Sequence, residues 1–361
     1  MRPTHTRADF DHSPMIVFYE TTRACDLACK HCRADAQREC DPRELSSSAA
    51  KKMIDDLARF PKPPLLVLTG GDPIKRPDIF ELISYARAQK LEVAMTPSAT
   101  PLVTTSVIRR LKDAGLHRLA VSLDGADPRT HDDFRQVEGS FSRTLRIIDD
   151  ARRLGLPVQV NTTVGRHNVG QLERIGQVLG RRGIVLWSVF FIVPTGRATA
   201  DQRLSADEVE RAFVEIHRQS SLQPFPIKTT EAPHYRRFAL QQAKGTAAAR
   251  ALASAPGMGG TNDGKGILFI SHVGEIFPSG FLPIVCGQVP LDSVVRVYQE
   301  SATFRALRDT DQLGGKCGVC EFKNLCGGSR ARAFAVTGDP LAEEPDCAYI
   351  PPRWEKETVS C

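Results

Sequence analysis

Between Met15 and Gln219 the chain repeats one pattern six times: a short apolar run, then an amphipathic stretch. The runs IVFYE, LLVLTGG, LEVAMT, HRLAVSLDG, PVQVNTTV and IVLWSVFFIV carry the branched and aromatic residues that favour strands. The stretches after them (46–60, 78–90, 105–114, 142–154, 169–181 and 205–219) space their apolar residues three and four apart, as helices do. Asp78 reads as a cap for the second of these. Strands that alternate with helices build a parallel sheet under covering helices. Right-handed crossovers then curl the sheet. The expectation is an α/β chain built on a partial (β/α)6 barrel, with functional residues in the loops that follow the strands.

Beyond the sixth unit the rhythm changes. Residues 243–264 are rich in Ala, Gly and Ser and read as a helix end followed by a flexible connection. GILFIS and GEIFPSG then read as a small hairpin, and 291–308 as helical. A Cys-rich tail follows. The expected divisions are an N-terminal extension (1–14), a barrel core (15–220), a connecting segment (221–265), a small Cys-rich domain (266–352) and a tail (353–361).

Forty-eight Lys and Arg against 42 Asp and Glu give a net charge of +6, spread along the chain with no basic tail, so no nucleic-acid partner is expected. The first fourteen residues hold no apolar run that would read as a signal peptide. No stretch reaches the roughly 20 apolar residues of a membrane span. A cytoplasmic chain without a membrane partner is expected. In that reducing setting ten cysteines are better read as metal-binding or catalytic than as disulfides.

The cysteines are clustered. Cys25, Cys29 and Cys32 lie in TTRACDLACKHCRADA with C-x3-C-x2-C spacing, in the loop after the first strand. Three thiolates can hold three irons of a [4Fe–4S] cube and leave the fourth open. Zinc is the alternative, but it wants four ligands, and His31 is awkwardly adjacent to Cys32. A second group, Cys317, Cys320, Cys326 and Cys347, has enough thiolates to close a [4Fe–4S] cluster or a structural zinc site. Cys286 reads as a buried thiol, and Cys40 and Cys361 as free.

ETTRACDLACKHCRA, TGGDP and VSLDG resemble the motifs of radical SAM enzymes, and the Cys-rich end resembles half of a SPASM domain. RARAFAVTGDPLAEEPDCAYIP is similar to the radical SAM enzymes of tetrapyrrole biosynthesis, among them the Fe-coproporphyrin decarboxylase and the haem d1 side-chain enzyme. The resemblance implies S-adenosylmethionine (SAM) on a cluster held by Cys25, Cys29 and Cys32. It also implies one auxiliary [4Fe–4S] cluster on Cys317, Cys320, Cys326 and Cys347, with Ser279 and Arg330 standing where a full SPASM domain has further cysteines. Gly70, Gly71 and Asp72 match the stretch that binds the SAM amino group, with Asp in place of the usual Glu. Ser122 would help hold SAM, Arg135 would fork onto its carboxylate, and Asn161 and Thr163 would face ribose and adenine. His31 occupies an often aromatic position and would pack beside the cluster or the adenine.

The same resemblance implies a 5′-deoxyadenosyl radical that takes hydrogen from substrate, and an electron donor such as flavodoxin or ferredoxin. The substrate is a small molecule, a tetrapyrrole propionate for instance. The alternative is a peptide, since the mycofactocin maturase has a similar layout. Arg197, His234, Tyr235, Arg236 and Arg237 are candidate substrate contacts, the arginines suiting carboxylates. A solvated loop explains them equally well.

Overall fold

The computed structural model describes residues 8–243 and 260–354. The six expected strands form in order: β1 (Ile16–Glu20), β2 (Leu65–Thr69), β3 (Glu92–Met95), β4 (Arg118–Ser122), β5 (Val158–Val164) and β6 (Leu186–Phe191). Each is parallel to the next. The helices that follow them are α1 (Ser47–Leu57), α2 (Ile79–Ala88), α3 (Thr105–Asp113), α4 (Pro128–Arg135), α5 (Ser140–Arg153), α6 (Leu172–Gly180) and, after β6, α7 (Ala206–Leu222). α1 shows how the pattern works. The Ser46 hydroxyl accepts from Ala49 N and caps the helix, and Ala50, Met53, Ile54 and Leu57 turn one face into the core.

Alternation along the strands separates the two faces of the sheet. In β5, Val158, Val160, Thr162 and Val164 are buried under the helices, while Gln159, Asn161 and Thr163 stay partly exposed on the other face. The large core packs on the helix side and includes Val17, Tyr19, Leu66, Leu68, Val93 and Trp187. Each large apolar side chain buried this way contributes roughly 1.5–3 kcal/mol.

Three features differ from the expectations. A seventh strand, β7 (Ile227–Thr230), pairs in parallel with β6, and α8 (Tyr235–Gln242) follows it, inside the segment read as a connection. Its sequence, IKTT, is short, polar and nowhere fully buried, so it carries no apolar signal. Second, the hairpin β8 (Ile267–Ile270) and β9 (Glu275–Phe277) does form, but β8 also lies parallel to β1 (Ile16↔Ile267). With β10 (Gly287–Gln288) it extends the same sheet, giving the order β10-β9-β8-β1-β2-β3-β4-β5-β6-β7. Third, Asp78 does not cap α2 with its side chain. Its carboxylate takes Arg76 Nε at 2.7 Å and the Ser47 hydroxyl at 2.5 Å, tying α2 to α1.

Most of the 243–264 stretch and Cys361 lie outside the described residues. Among the described residues no helix is long and apolar enough to cross a membrane.

Candidate SAM and iron–sulfur sites

The loop after β1 carries Cys25, Cys29 and Cys32, and three other loops hold it in place. Gly71 N donates to Thr22 O at 2.8 Å, and Asp72 N to Ala24 O at 2.7 Å. Gly70 has φ +148°, and a Cβ there would meet Thr22 O at 2.3 Å; one on Gly71 would meet Ala24 O at 2.5 Å. Glycine is required at both positions for this approach. From the far side, the loop after β6 closes on the cysteines. Arg197 N donates to Cys32 O at 3.0 Å, its Nε to Cys29 O at 3.0 Å, and its Nη1 to Ala36 O at 2.9 Å. Arg197 thus braces the cysteine loop through three of its donors, while its Nη2 is buried without a partner.

Cys25 and Cys29 are buried and Cys32 nearly so. Each sulfur accepts a polar hydrogen: Cys25 from Leu27 N (3.4 Å), Cys32 from Ala36 N (3.4 Å), Cys29 from Arg135 Nη1 (3.7 Å). Burial pushes the Cys25 and Cys29 thiols up, and Arg135 pulls Cys29 back. Thiolates here would need a cation to offset their burial, and the N–H···S bonds already favour that charged form. Among the described residues no three His, Cys, Asp or Glu side chains gather closely enough for a single metal ion. His31 stacks on Phe134 (4.1 Å, 3°), which stacks on His167 (3.7 Å, 19°), so it packs beside the loop as a neutral ring.

Beside the cysteines lies a cavity of about 110 Å³, lined by Gly70, Gly71, Ser98, Ser122, Arg135 and Thr144 among others. Arg135 is anchored within it. Its Nε donates to Asp124 Oδ2 at 2.6 Å, and Nη2 joins the same carboxylate. Burial alone would raise Asp124, but Arg135 outweighs it and holds the acid at about 2. Asp72 does not line this cavity. It is fully buried, and its oxygens take Ile74 N (3.2 Å), Ser98 N (3.3 Å) and the Thr100 hydroxyl (2.9 Å). It shapes the cavity wall by holding the 98–100 loop. Thr163 N donates to Asp124 Oδ1 at 2.7 Å, and Asn161 Oδ1 accepts from Gln159 at 2.7 Å. Both sit on the open face of β5, one strand beyond Ser122.

Thr144, on the wall of this cavity, has a buried hydroxyl without a partner. His131 and Ser140, also on its wall, were not singled out from the sequence. Asp124, noted only as part of VSLDG, organises the group.

The second cysteine group surrounds a smaller cavity, of about 30 Å³. Cys317, Cys320, Cys326 and Cys347 line it with His234, Arg237 and Lys316. Burial raises all four thiols, Cys347 to about 11. Cys317 accepts from Glu344 N (3.4 Å) and Cys326 from Gly328 N (3.3 Å). His234 is 1 % exposed with neither ring nitrogen hydrogen-bonded, an orphaned imidazole in a thiol-lined space. Cys286 is partly buried and Cys40 exposed.

The expected substrate residues belong to this end of the molecule. His234 and Arg237 line the second cavity. Arg236 Nη2 donates to Thr261 O at 2.9 Å, and Tyr235 packs on Phe213 and Phe238. Arg330 grips Pro340 O (3.0 Å) and Ala342 O (2.6 Å), fixing the return to Cys347, and Ser279 is buried. Arg332, missed in the sequence, is fully buried. It joins Glu344 (3.2 Å) and Asp346 (2.9 Å) to Glu231 O (2.8 Å), at the end of β7. An arginine inside RARAFAV offers no sequence signal that separates it from a surface one.

Comparison with known proteins places this geometry. Residues 19–178 match the Radical SAM superfamily. The AdoMet-dependent heme synthase of Methanosarcina barkeri is 39% identical over 351 residues, 94% of this chain and 98% of that protein. The enzyme of that name from Nitratidesulfovibrio vulgaris is 41% identical over 357 residues, 95% of each chain. The crystal structure of Streptococcus suis SuiB bound to precursor peptide SuiA shares the fold, with a TM-score of 0.71 at 15% identity over 94% of this chain and 76% of that one. The family's cofactors are SAM and a [4Fe–4S] cluster, and the cysteine loop with its adjoining polar cavity fits both. The chain belongs to the radical SAM superfamily, in the branch that contains the AdoMet-dependent heme synthases.

Proposed function

We propose that this enzyme decarboxylates propionate side chains of an iron-bound tetrapyrrole. The observation that carries the reading is near-full-length similarity to the AdoMet-dependent heme synthases at 39–41% identity. Cys25, Cys29 and Cys32 hold the cluster that binds SAM, and the cavity bounded by Gly70, Gly71, Ser122 and Arg135 receives that cofactor. Asp72, Asn161 and Thr163 shape its surroundings. When bound and reduced, the pair supplies a 5′-deoxyadenosyl radical that takes a hydrogen atom from the propionate. The C–C bond to the carboxylate then breaks, CO2 leaves, a vinyl group remains, and one electron must go elsewhere.

Cys317, Cys320, Cys326 and Cys347 hold an auxiliary [4Fe–4S] cluster suited to receive that electron. Arg237 and Lys316 offset the negative charge of four thiolates there. An external carrier of the flavodoxin or ferredoxin kind supplies the electron that starts each cycle. The nine described cysteines are all unpaired, which suits a reducing cytoplasm.

The test is an anaerobic incubation of cluster-loaded enzyme with SAM, reductant and Fe-coproporphyrin III. Decarboxylated porphyrin should appear with equimolar 5′-deoxyadenosine. The C25A/C29A/C32A variant should form neither. Enzyme that cleaves SAM but leaves every tetrapyrrole untouched would favour the peptide-maturase alternative. SAM cleavage by the triple variant would refute the cluster assignment.

A further inference from the structure

The inner face of the sheet, away from the helices, is incompletely filled. On the helix side of β2 and β3, Leu66, Leu68, Val93 and Met95 are 0 % exposed, whereas Leu65, Val67 and Ala94 on the inner side keep 5–8 %. These three cluster with Ile16 and Phe18, which are only partly buried. Closed barrels pack this space with side chains; here it stays partly open. Phe269 of β8 pairs in register with Phe18, and Phe277 stacks on Phe269 (5.9 Å, 11°), so the apolar strip continues past β1. The face turns polar at β5, with Gln159, Asn161 and Thr163.

One cation overhangs the apolar strip. Arg33, the residue after Cys32, lays its guanidinium 4.5 Å from the centroid of the Phe269 ring. Its Nη2 donates to Glu20 Oε2 at 2.7 Å, at the end of β1. Glu20 is itself pinned by His272, whose Nδ1 stands 2.7 Å from Oε1. Gly280 closes in from behind: a Cβ there would lie 3.0 Å from the Phe269 ring and 3.1 Å from Arg33 Cδ. Ring, carboxylate and backbone thus fix the guanidinium while most of its N–H groups stay unspent. Nε and Nη1 have no hydrogen-bond partner among the described residues, and the side chain keeps 18 % exposure. The cavity beside the cysteines borders the same inner face, through Thr69, Thr96 and Ser122. A substrate seated on this face has that cavity over β2–β4 on one side and Arg33 over β1 and β8 on the other.

We propose that Arg33 binds a carboxylate of the substrate and so sets which edge of a flat macrocycle lies beside the cofactor cavity. The inference rests on the tetrapyrrole reading and deepens it. Propionates around one ring give an anionic rim and apolar faces. Those match a fixed guanidinium above a strip of Phe18, Val67 and Phe269. A guanidinium with unspent donors favours a carboxylate over a neutral side chain, and the ring beneath it holds its plane in place.

Anaerobic absorbance titration of cluster-loaded protein tests it, using Fe-coproporphyrin III and iron etioporphyrin III, which carries ethyl groups where the other has propionates. R33M keeps an apolar stem over Phe269 and should weaken Fe-coproporphyrin III by roughly tenfold, the scale of a lost hydrogen bond to a charged group. R33K keeps the charge without the planar fork and should recover part of that loss. Iron etioporphyrin III should bind all three proteins equally. SAM affinity and iron per chain should match wild type, which shows that the cysteine loop is intact. Unchanged affinity of R33M for Fe-coproporphyrin III, or equal losses for both porphyrins, would overturn the proposal while the tetrapyrrole reading stands. Wild-type protein that binds neither porphyrin would overturn the reading and the proposal together.

Discussion

A guanidinium can meet a ligand or a backbone, and Arg197 shows how much turns on which. Its three donors to Cys32 O, Cys29 O and Ala36 O are the main ties between the loop after β6 and the cysteine loop. Arg197→Met keeps the aliphatic stem and removes the side-chain donors, at a cost of about 1.5–3 kcal/mol at the loop. The expected result is lower iron occupancy at the N-terminal cluster with the auxiliary cluster unaffected, measured as iron per chain and by the spectrum of each cluster. Full occupancy of both would mean that the clamp is dispensable. From the sequence Arg197 looked like a substrate contact, as did His234 and Arg236. Residue type was legible, because the cysteines, the glycine pair and Arg135 all lie at one mouth of the sheet. Direction was not. Asp72 and Asp124 are both acids just past a strand, yet one props a loop and the other pairs with Arg135. Only three-dimensional placement separates them.

At the level of elements, the turn after β2 exists to lie against the cysteine loop. Gly71→Ala would place its Cβ 2.5 Å from Ala24 O and 2.6 Å from Arg23 O, both backbone atoms that cannot swing aside. The predicted outcome is a displaced cysteine loop, a stability loss of about 1–3 kcal/mol, and weakened SAM binding. Chemical denaturation of the apo-protein checks the first effect and equilibrium binding the second; a variant matching wild type in both would show that the loops have slack. The glycines were legible from TGGDP, although for approach to a ligand and not to another loop. The six apolar strands were legible for the same reason that they are buried. β7 was not, because IKTT stands at the sheet edge and buries little. The continuation of the sheet through β8 was also hidden, since a hairpin's sequence does not say which outside strand it will join.

Across the whole molecule, the Cys-rich end is fastened to the barrel by buried charge. Arg332 ties Glu344 and Asp346 to the ends of β6 and β7, through Ile192 O (3.4 Å) and Glu231 O (2.8 Å). The Glu231 carboxyl accepts the Ser329 hydroxyl at 2.6 Å. Burial, with Asp263 and Glu344 nearby, raises Glu231 from 4.5 to about 8. The sign follows from proton counting. Between those two values the folded chain keeps a proton that the unfolded chain gives up, so stability falls as pH rises through this window and levels off above it. Glu344 and Asp124, held at about 2, act in the opposite sense, and their window lies below about 4.5. Asp72, raised to about 6, and the buried His131 and His167, lowered to about 4, also change stability above that window, so the comparison that isolates Glu231 is with its own variant. Glu231→Gln keeps an oxygen for Ser329 and removes the ionisation. Its melting temperature should exceed that of wild type at about pH 8, and the gap should close as pH approaches about 5. Parallel melting curves for the two proteins across that range would show that Glu231 ionises as freely in the fold as it does in water, and that the seam between barrel and Cys-rich end does not depend on its proton.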